Sequence, residues 1–162
     1  MTVIAWDGKT LAADRKSTYG NTTRSATKIH RVGDALVGYC GGASVGNEVV
    51  AWFRDGAEPQ KFPTMQRDKD EHVNLLVVYA DGRIHEYIRT PFPEIVEDKF
   101  VAIGSGRDFA LAAMHLGQSA TQAVELACKL DANCGQGVDS MTHNVELTGL
   151  TGTPGKSGSA PG

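Results

Sequence analysis

No hydrophobic run in the 162 residues approaches membrane length: the longest, LLVVYA at Leu75 to Ala80, falls far below the roughly 20 residues a spanning helix requires. A basic segment followed by an apolar stretch is missing from the N-terminus, so no secretion signal is expected. Cysteine is scarce. Cys40, Cys128 and Cys134 are odd in number and lack CxxC or zinc-type spacing, which fits reduced thiols in a cytoplasmic compartment better than a disulfide framework. The five histidines, His30, His72, His85, His115 and His143, include no pair at metal-ligand spacing. Each is assigned to the surface or to a satisfied core position, and no metal or other cofactor is expected. An excess of one charge is also lacking. A net charge of −3, with acids and bases interspersed, gives no electrostatic reason to expect nucleic acid or an anionic membrane as partner.

What is present suits one soluble domain, with 41% hydrophobic and 22% charged residues. Thr2 to Trp6 and Lys9 to Ala13 are short apolar segments joined by Asp7-Gly8, a strong hairpin signal. Ser17 to Ser25 reads as a polar connection. The segment TKIHRV, a Gly33-Asp34 turn and ALVGYC form a second strand pair. Ala43 to Arg54 has helical spacing and is ended by Gly56. Ala57 to Asp70 reads as a loop with one helical turn, and VNLLVVY, Asp81-Gly82 and RIHEYI make another hairpin. TPFPEIVED is a proline-punctuated connection into the buried strand FVAIGSG. Arg107 to Leu116 and Ser119 to Ala132 are amphipathic helices split by Gly117, the second capped by Ser119. Val138 to Leu147 reads as a last strand. The domain is expected to span residues 2–147, and residues 148–162, rich in Gly, Ser and Pro, a flexible tail. That tail contains GKS, but Leu150 stands where a phosphate loop needs its first glycine. Antiparallel hairpins without βαβ alternation point to an α+β fold, in which two hairpin-built sheets and the helices stack as a four-layer sandwich.

The second residue carries the first chemical hint. Methionine is trimmed when a small residue follows it, which would leave Thr2 at the mature N-terminus with a hydroxyl beside a free amine. An α-amino group titrates near pH 7.7 to 8.0 and can accept the hydroxyl proton, so one residue supplies nucleophile and base. Taken alone, Met-Thr is an ordinary start. Asp14 ends the second apolar segment and Lys28 lies in TKIHRV, each where a hairpin end can meet the chain start. As a buried pair they would place positive potential near the Thr2 oxygen; as separate residues they are two solvated charges. CGGAS, from Cys40 to Ser44, sets two glycines before a helix start, where backbone N–H groups can stabilise an oxyanion or merely form a tight turn. GSG at Gly104 to Gly106 and LDANCG at Leu130 to Gly135 add Ser105, Asp131 and Cys134.

The array TVIAWDGKTLAAD, GNTT, TKIHRVGDALVGYCGG, FVAIGSG before two helices, and LDANCG resembles the proteasome β-subunit and HslV-like family of N-terminal-nucleophile hydrolases. The likeness spans roughly residues 2 to 147. It implies a four-layer αββα sandwich and a threonine-type peptidase acting through an acyl-enzyme ester on Thr2. It also implies Asp14 and Lys28 as the tuning pair, Gly41 as oxyanion donor, and Ser105 and Asp131 near the Thr2 amine. Cys134 falls where the family's pattern has serine, and a thiol is a weaker hydrogen-bond donor. Tyr39, Gly42 and Ala43 fall at the substrate pocket, which the bulk of Tyr39 would narrow. The implied partners are peptide or unfolded-protein substrate, further copies of the chain in a ring, and an unfoldase ATPase. Only one of the two long helices usual after the CGG-like turn is legible here. A non-catalytic assembly subunit, or an amidase for a non-peptide amide, is the alternative.

Overall fold

The computed structural model describes residues 2–64, 70 and 72–143. The expected tail, its GKS segment and residues 144–147 of the last expected strand lie outside the described residues. In chain order the elements are β1 (Val3–Trp6), β2 (Thr10–Asp14), β3 (Lys16–Tyr19), β4 (Thr22–Ser25), β5 (Ile29–Val32), β6 (Ala35–Cys40) and α1 (Ala43–Arg54). After a 3-10 turn at Pro59–Lys61 come β7 (Asn74–Tyr79), β8 (Ile84–Ile88), β9 (Glu94–Ile95), β10 (Val101–Gly104), α2 (Arg107–His115), α3 (Ala120–Leu130) and β11 (Val138–Thr142).

The strands form two antiparallel sheets, ordered β10-β1-β2-β11 and β5-β6-β7-β8-β9, with β3-β4 as a separate ribbon. Side-chain alternation assigns each strand face to a layer. Ile4, Leu11 and Ile103 of the first sheet meet Ile29, Leu36, Leu76 and Val78 of the second in the central core. Val3, Ala5 and Ala12 point the other way, onto Met114 of α2 and Val124 and Ala127 of α3. Val37, Tyr39, Leu75 and Val77 face Val45, Val49 and Trp52 of α1. The result is the four-layer αββα sandwich.

Two contacts fix the layers where the site lies. A Cβ on Gly38 would come within 2.9 Å of Ile4 Cγ2 and 3.1 Å of Ile29 Cγ2, so glycine lets β6 close on β1. Asp7 bends the first hairpin by accepting the Thr10 N–H at 2.7 Å through Oδ1, and accepts the Ala120 N–H at the start of α3 at 2.8 Å through Oδ2. Ser119 and Gln122 complete a reciprocal capping box there. One turn residue thus ties β1 and β2 to the helix beneath them.

The structure differs from the sequence reading in three places. Ser17 to Ser25 is largely the β3-β4 ribbon rather than a connection, with most of its side chains exposed and therefore no apolar alternation to read. Tyr19 and Arg24 stack across it, guanidinium over ring at 4.5 Å. The proline-rich connection holds the two-residue edge strand β9. Lys28 precedes β5 rather than lying inside it, although its carbonyl still accepts the Tyr39 N–H at 3.2 Å.

Candidate active site

β1 and β2 pair with Ile4 opposite Ala13, and β1 and β10 with Val3 opposite Gly104. This register brings Asp14, at the end of β2, alongside the start of β1, with Thr2 just outside the pairing. Gly104 is required for the approach: its φ is +96°, and a Cβ would lie 2.1 Å from the Thr2 carbonyl oxygen. Lys28 arrives from the other sheet, immediately before β5. Thr2, Asp14 and Lys28 are 1%, 0% and 6% exposed, and they are the three buried polar or charged residues among the described residues.

These three form one cluster. The Thr2 hydroxyl donates to Asp14 Oδ1 at 2.6 Å, Lys28 Nζ donates to the same oxygen at 2.8 Å, and Lys28 Nζ also donates to Thr2 Oγ1. Backbone amides satisfy the rest of the carboxylate: Val3 N–H on Oδ1 at 3.1 Å, and Gly135 and Lys16 N–H on Oδ2 at 3.0 and 3.2 Å. Burying a lone ion costs several kcal/mol, so each charge here depends on the other and on these amides. A cation beside a hydroxyl oxygen stabilises negative charge developing on it.

Ser105, Asp131 and Cys134 adjoin the cluster. Gly106 N–H and the Ser105 hydroxyl reach the Thr2 carbonyl oxygen at 3.2 and 3.4 Å. Cys134 Sγ lies 3.9 Å from Ser105 Oγ and donates to Asp131 Oδ2 at 3.3 Å. Asp131 caps α3, and its other oxygen accepts the Asn133 N–H at 2.9 Å. That amide, helped by the Ser105 hydroxyl, holds the Asp131 carboxyl below the usual range. Burial, reinforced by the Asp14 charge, pushes the Cys134 thiol up to about 12, so it remains a protonated donor.

A pocket of about 290 Å³ opens beside Lys28 and is lined by Lys16, Ser17, Thr18, Ala26, Lys28, Tyr39, Gly41, Gly42 and Ala43. Gly41 has φ +123° and presses on the Val73 segment, where a Cβ would meet Val73 Cγ1 at 2.6 Å. Tyr39 is one of the residues lining the opening. Its ring lies against Gly46 of α1, whose hypothetical Cβ would fall 2.3 Å from it, and the residue is buried as a wall. His30, half-buried, stacks on that ring with centroids 6.4 Å apart, and its buried Nε2 has no hydrogen-bond partner among the described residues, where a surface or satisfied core position was expected. The same holds for His85 Nδ1 and His143 Nε2. Lys16, Ser17, Thr18 and Ala26 were not anticipated as pocket residues. The signal for them was Gly20-Asn21, a hairpin-turn pair that folds the polar stretch back beside Lys28.

The sequence is 26% identical over 170 aligned positions to proteasome subunit beta 1 of Thermococcus gammatolerans, covering 84% of each chain. It is 24% identical to that of Thermococcus onnurineus, covering 89% of this chain and 87% of that one. The fold matches a crystal structure of eukaryotic HslV from Trypanosoma brucei with a TM-score of 0.60 at 22% identity, over 86% of this chain and 97% of that one. It matches Thiobacillus denitrificans BPH in complex with epoxomicin with a TM-score of 0.64 at 20% identity, over 88% and 98%. The chain is similar in sequence to proteasome β subunits and shares the fold of HslV and BPH. No family model matches the sequence. Within this proteasome-like chain the layer outside the second sheet holds α1 alone among the described residues, followed by a 3-10 turn.

Proposed function

We propose that the protein is a threonine-type peptidase that cleaves peptide bonds in unfolded polypeptides through an ester on Thr2. The observation that carries this reading is the coincidence of buried polarity: the three buried polar or charged residues of the described chain are a hydroxyl, a carboxylate and an ammonium in mutual contact at the start of β1. A structural ion pair has no need of a threonine at the second position.

While Thr2 is joined to Met1, its nitrogen is an amide without a basic lone pair. Removal of Met1 converts it to an amine beside its own hydroxyl. The amine takes the hydroxyl proton, directly or through a water, while Lys28 stabilises the oxygen as it attacks the substrate carbonyl. Thr2 Oγ1 bonds to the carbonyl carbon, and the Gly41 N–H receives the developing oxyanion. The C–N bond then breaks, and the proton held by the Thr2 amine passes to the leaving amine. Water, deprotonated by the same Thr2 amine, hydrolyses the ester and frees the hydroxyl. Ser105, with Asp131 and Cys134 behind it, orients the amine, while Tyr39, Gly42 and Ala43 shape the pocket for the substrate residue before the scissile bond.

Epoxomicin bound to the BPH neighbour supports an epoxyketone-reactive site of this type. Ring assembly, an ATPase partner and a cytoplasmic setting are part of the same proposal. No helix among the described residues is long and apolar enough to cross a membrane. The test is digestion of an unstructured protein such as casein by the purified full-length chain. Fragments that appear with the wild type and not with Thr2→Ala support the reading. Equal digestion by Thr2→Ala, or none by either, contradicts it.

A further inference from the structure

Inside the sandwich, the end of the second sheet that leads to Gly41 carries a polar row to which the proposed reaction gives no task. Leu76 of β7 and Ile84 of β8 point into the central core, so by alternation Asn74 and Glu86 face the same way, as does Cys40 at the end of β6. Asn74 Nδ2 donates to Glu86 Oε1 at 3.0 Å, a side-chain bond that stitches the start of β7 to β8. Glu86 is half-buried and forms no ion pair among the described residues. Directly opposite it in β9 stands Glu94, a like charge. Burial pushes the Glu86 carboxyl up, and the Asn74 bond opposes that shift. Like charges facing each other across a strand pair destabilise it, so the pairing of β8 with β9 gives no reason for this carboxylate.

Asn74 forms the outermost register pair of β7 with β6, opposite Cys40, and its backbone N–H faces the Cys40 thiol. One residue further on, the two strands leave the sheet in contact: a Cβ on Gly41 would meet Val73 Cγ1 at 2.6 Å and the His72 carbonyl oxygen at 3.1 Å. Gly41, at φ +123°, has no side chain to hold its own dihedral angles, so the direction of its N–H is set by the segment packed on it. We infer that Glu86 is a positioning residue for the proposed reaction: its bond to the Asn74 side chain fixes the start of β7, and with it the Val73 segment against which Gly41 aims its N–H at the oxyanion. This rests on the peptidase reading, with Gly41 as donor. Such a donor works only within a narrow distance window, and a displacement on the order of 1 Å costs about 100-fold in rate. It acts on the transition state more than on bound substrate, so its misplacement is read in kcat rather than KM.

The test measures kcat and KM of full-length variants on one fluorogenic peptide, with kcat counted per Thr2 that forms an epoxyketone adduct, so that loss of folded enzyme does not enter. Asn74→Asp sets two carboxylates against each other and is expected to lower kcat about 10-fold or more, with KM within about twofold. Adding Glu86→Gln to Asn74→Asp restores a donor facing an acceptor in the reverse sense, and kcat should recover to within about threefold of the wild type. Glu86→Gln alone keeps the acceptor and should retain about a third or more of kcat, whereas Glu86→Leu, which removes the same charge together with the acceptor, should fall about as far as Asn74→Asp. Equal kcat in Glu86→Leu and Glu86→Gln overturns the assignment, as does an effect on KM alone or an Asn74→Asp loss that Glu86→Gln does not repair. Each of those results, with a wild type that turns the peptide over, leaves the peptidase reading standing. A wild type with neither turnover nor adduct removes both.

Discussion

In the proposed reaction each residue of the central cluster has a distinct task, and the tasks are separable by substitution. Lys28→Met leaves Asp14 as a buried carboxylate without its cation, so the account expects turnover to fall by about three orders of magnitude or more, with reduced stability. Peptide hydrolysis and a urea titration on the same sample check both effects. Thermal stability unchanged in Lys28→Met would show that the pair is not as buried as the geometry has it. Cys134 offers a residue-scale prediction with a definite sign. Its thiol titrates at about 12 in the folded chain against an ordinary 9.0, and the Cys128 thiol, also raised by burial, at about 11. Between those values the unfolded chain has lost protons that the folded chain keeps, so stability is full below pH 9 and declines as pH rises toward 12. Burial of Tyr39 and Tyr87 acts in the same direction. Cys134→Ser should flatten this decline in urea midpoints measured from pH 8 to 10.5, and an unchanged slope would contradict it. The same variant restores a stronger donor beside Ser105.

At the scale of elements, the pocket wall depends on α1 lying close to β6. Gly46→Ala places a methyl group on the Tyr39 ring, so that ring or helix must shift, and overpacking of this kind costs about 1–3 kcal/mol. The displaced ring lines the pocket, so KM for peptide should change along with the melting temperature. Gly42→Ala is the control for stability: its Cβ meets nothing within 4 Å and its φ is −64°, so the melting temperature should barely move. Equal melting temperatures for the two variants would show that Tyr39 is not held as described. The hairpins of β1-β2, β5-β6 and β7-β8 were legible because Asp7-Gly8, Gly33-Asp34 and Asp81-Gly82 bracket runs with buried faces. The helices were legible through their apolar spacing and, at Ser119, a cap. The β3-β4 ribbon was not, because its exposed strands carry no alternation, and Gly20-Asn21 was its single mark. Losing the ribbon meant losing Lys16, Ser17 and Thr18 from the site. Thr2, Asp14 and Lys28 could be assembled from sequence only through the family resemblance. Their contact depends on register within one sheet and on the packing of one sheet against the other, which pairwise spacing does not encode.

For the whole molecule, the layer of α2 and α3 offers exposed apolar side chains to a neighbouring copy in the proposed ring. Leu116 is 84% and Leu130 57% exposed beyond α2 and at the end of α3, with Phe109 and Leu126 partly exposed on the same two helices. The account expects light scattering to give a mass several times that of one chain, and Leu126→Glu with Leu130→Glu to lower it; a monomer in both cases would contradict assembly through these helices. The layer outside the second sheet, with α1 as its one helix among the described residues, offers less helical surface for a neighbouring copy or an ATPase than the two-helix pattern expected from the resemblance.

The central claim is that Thr2 is a nucleophile with its own amine as base. The most direct measurement is the intact mass of the purified chain before and after exposure to a peptide epoxyketone, whose two electrophilic carbons require a hydroxyl and an adjacent free amine. The account predicts loss of the methionine mass followed by a one-to-one adduct, absent in Thr2→Ala. A retained methionine, or a trimmed chain that forms no adduct at high probe concentration, would contradict it.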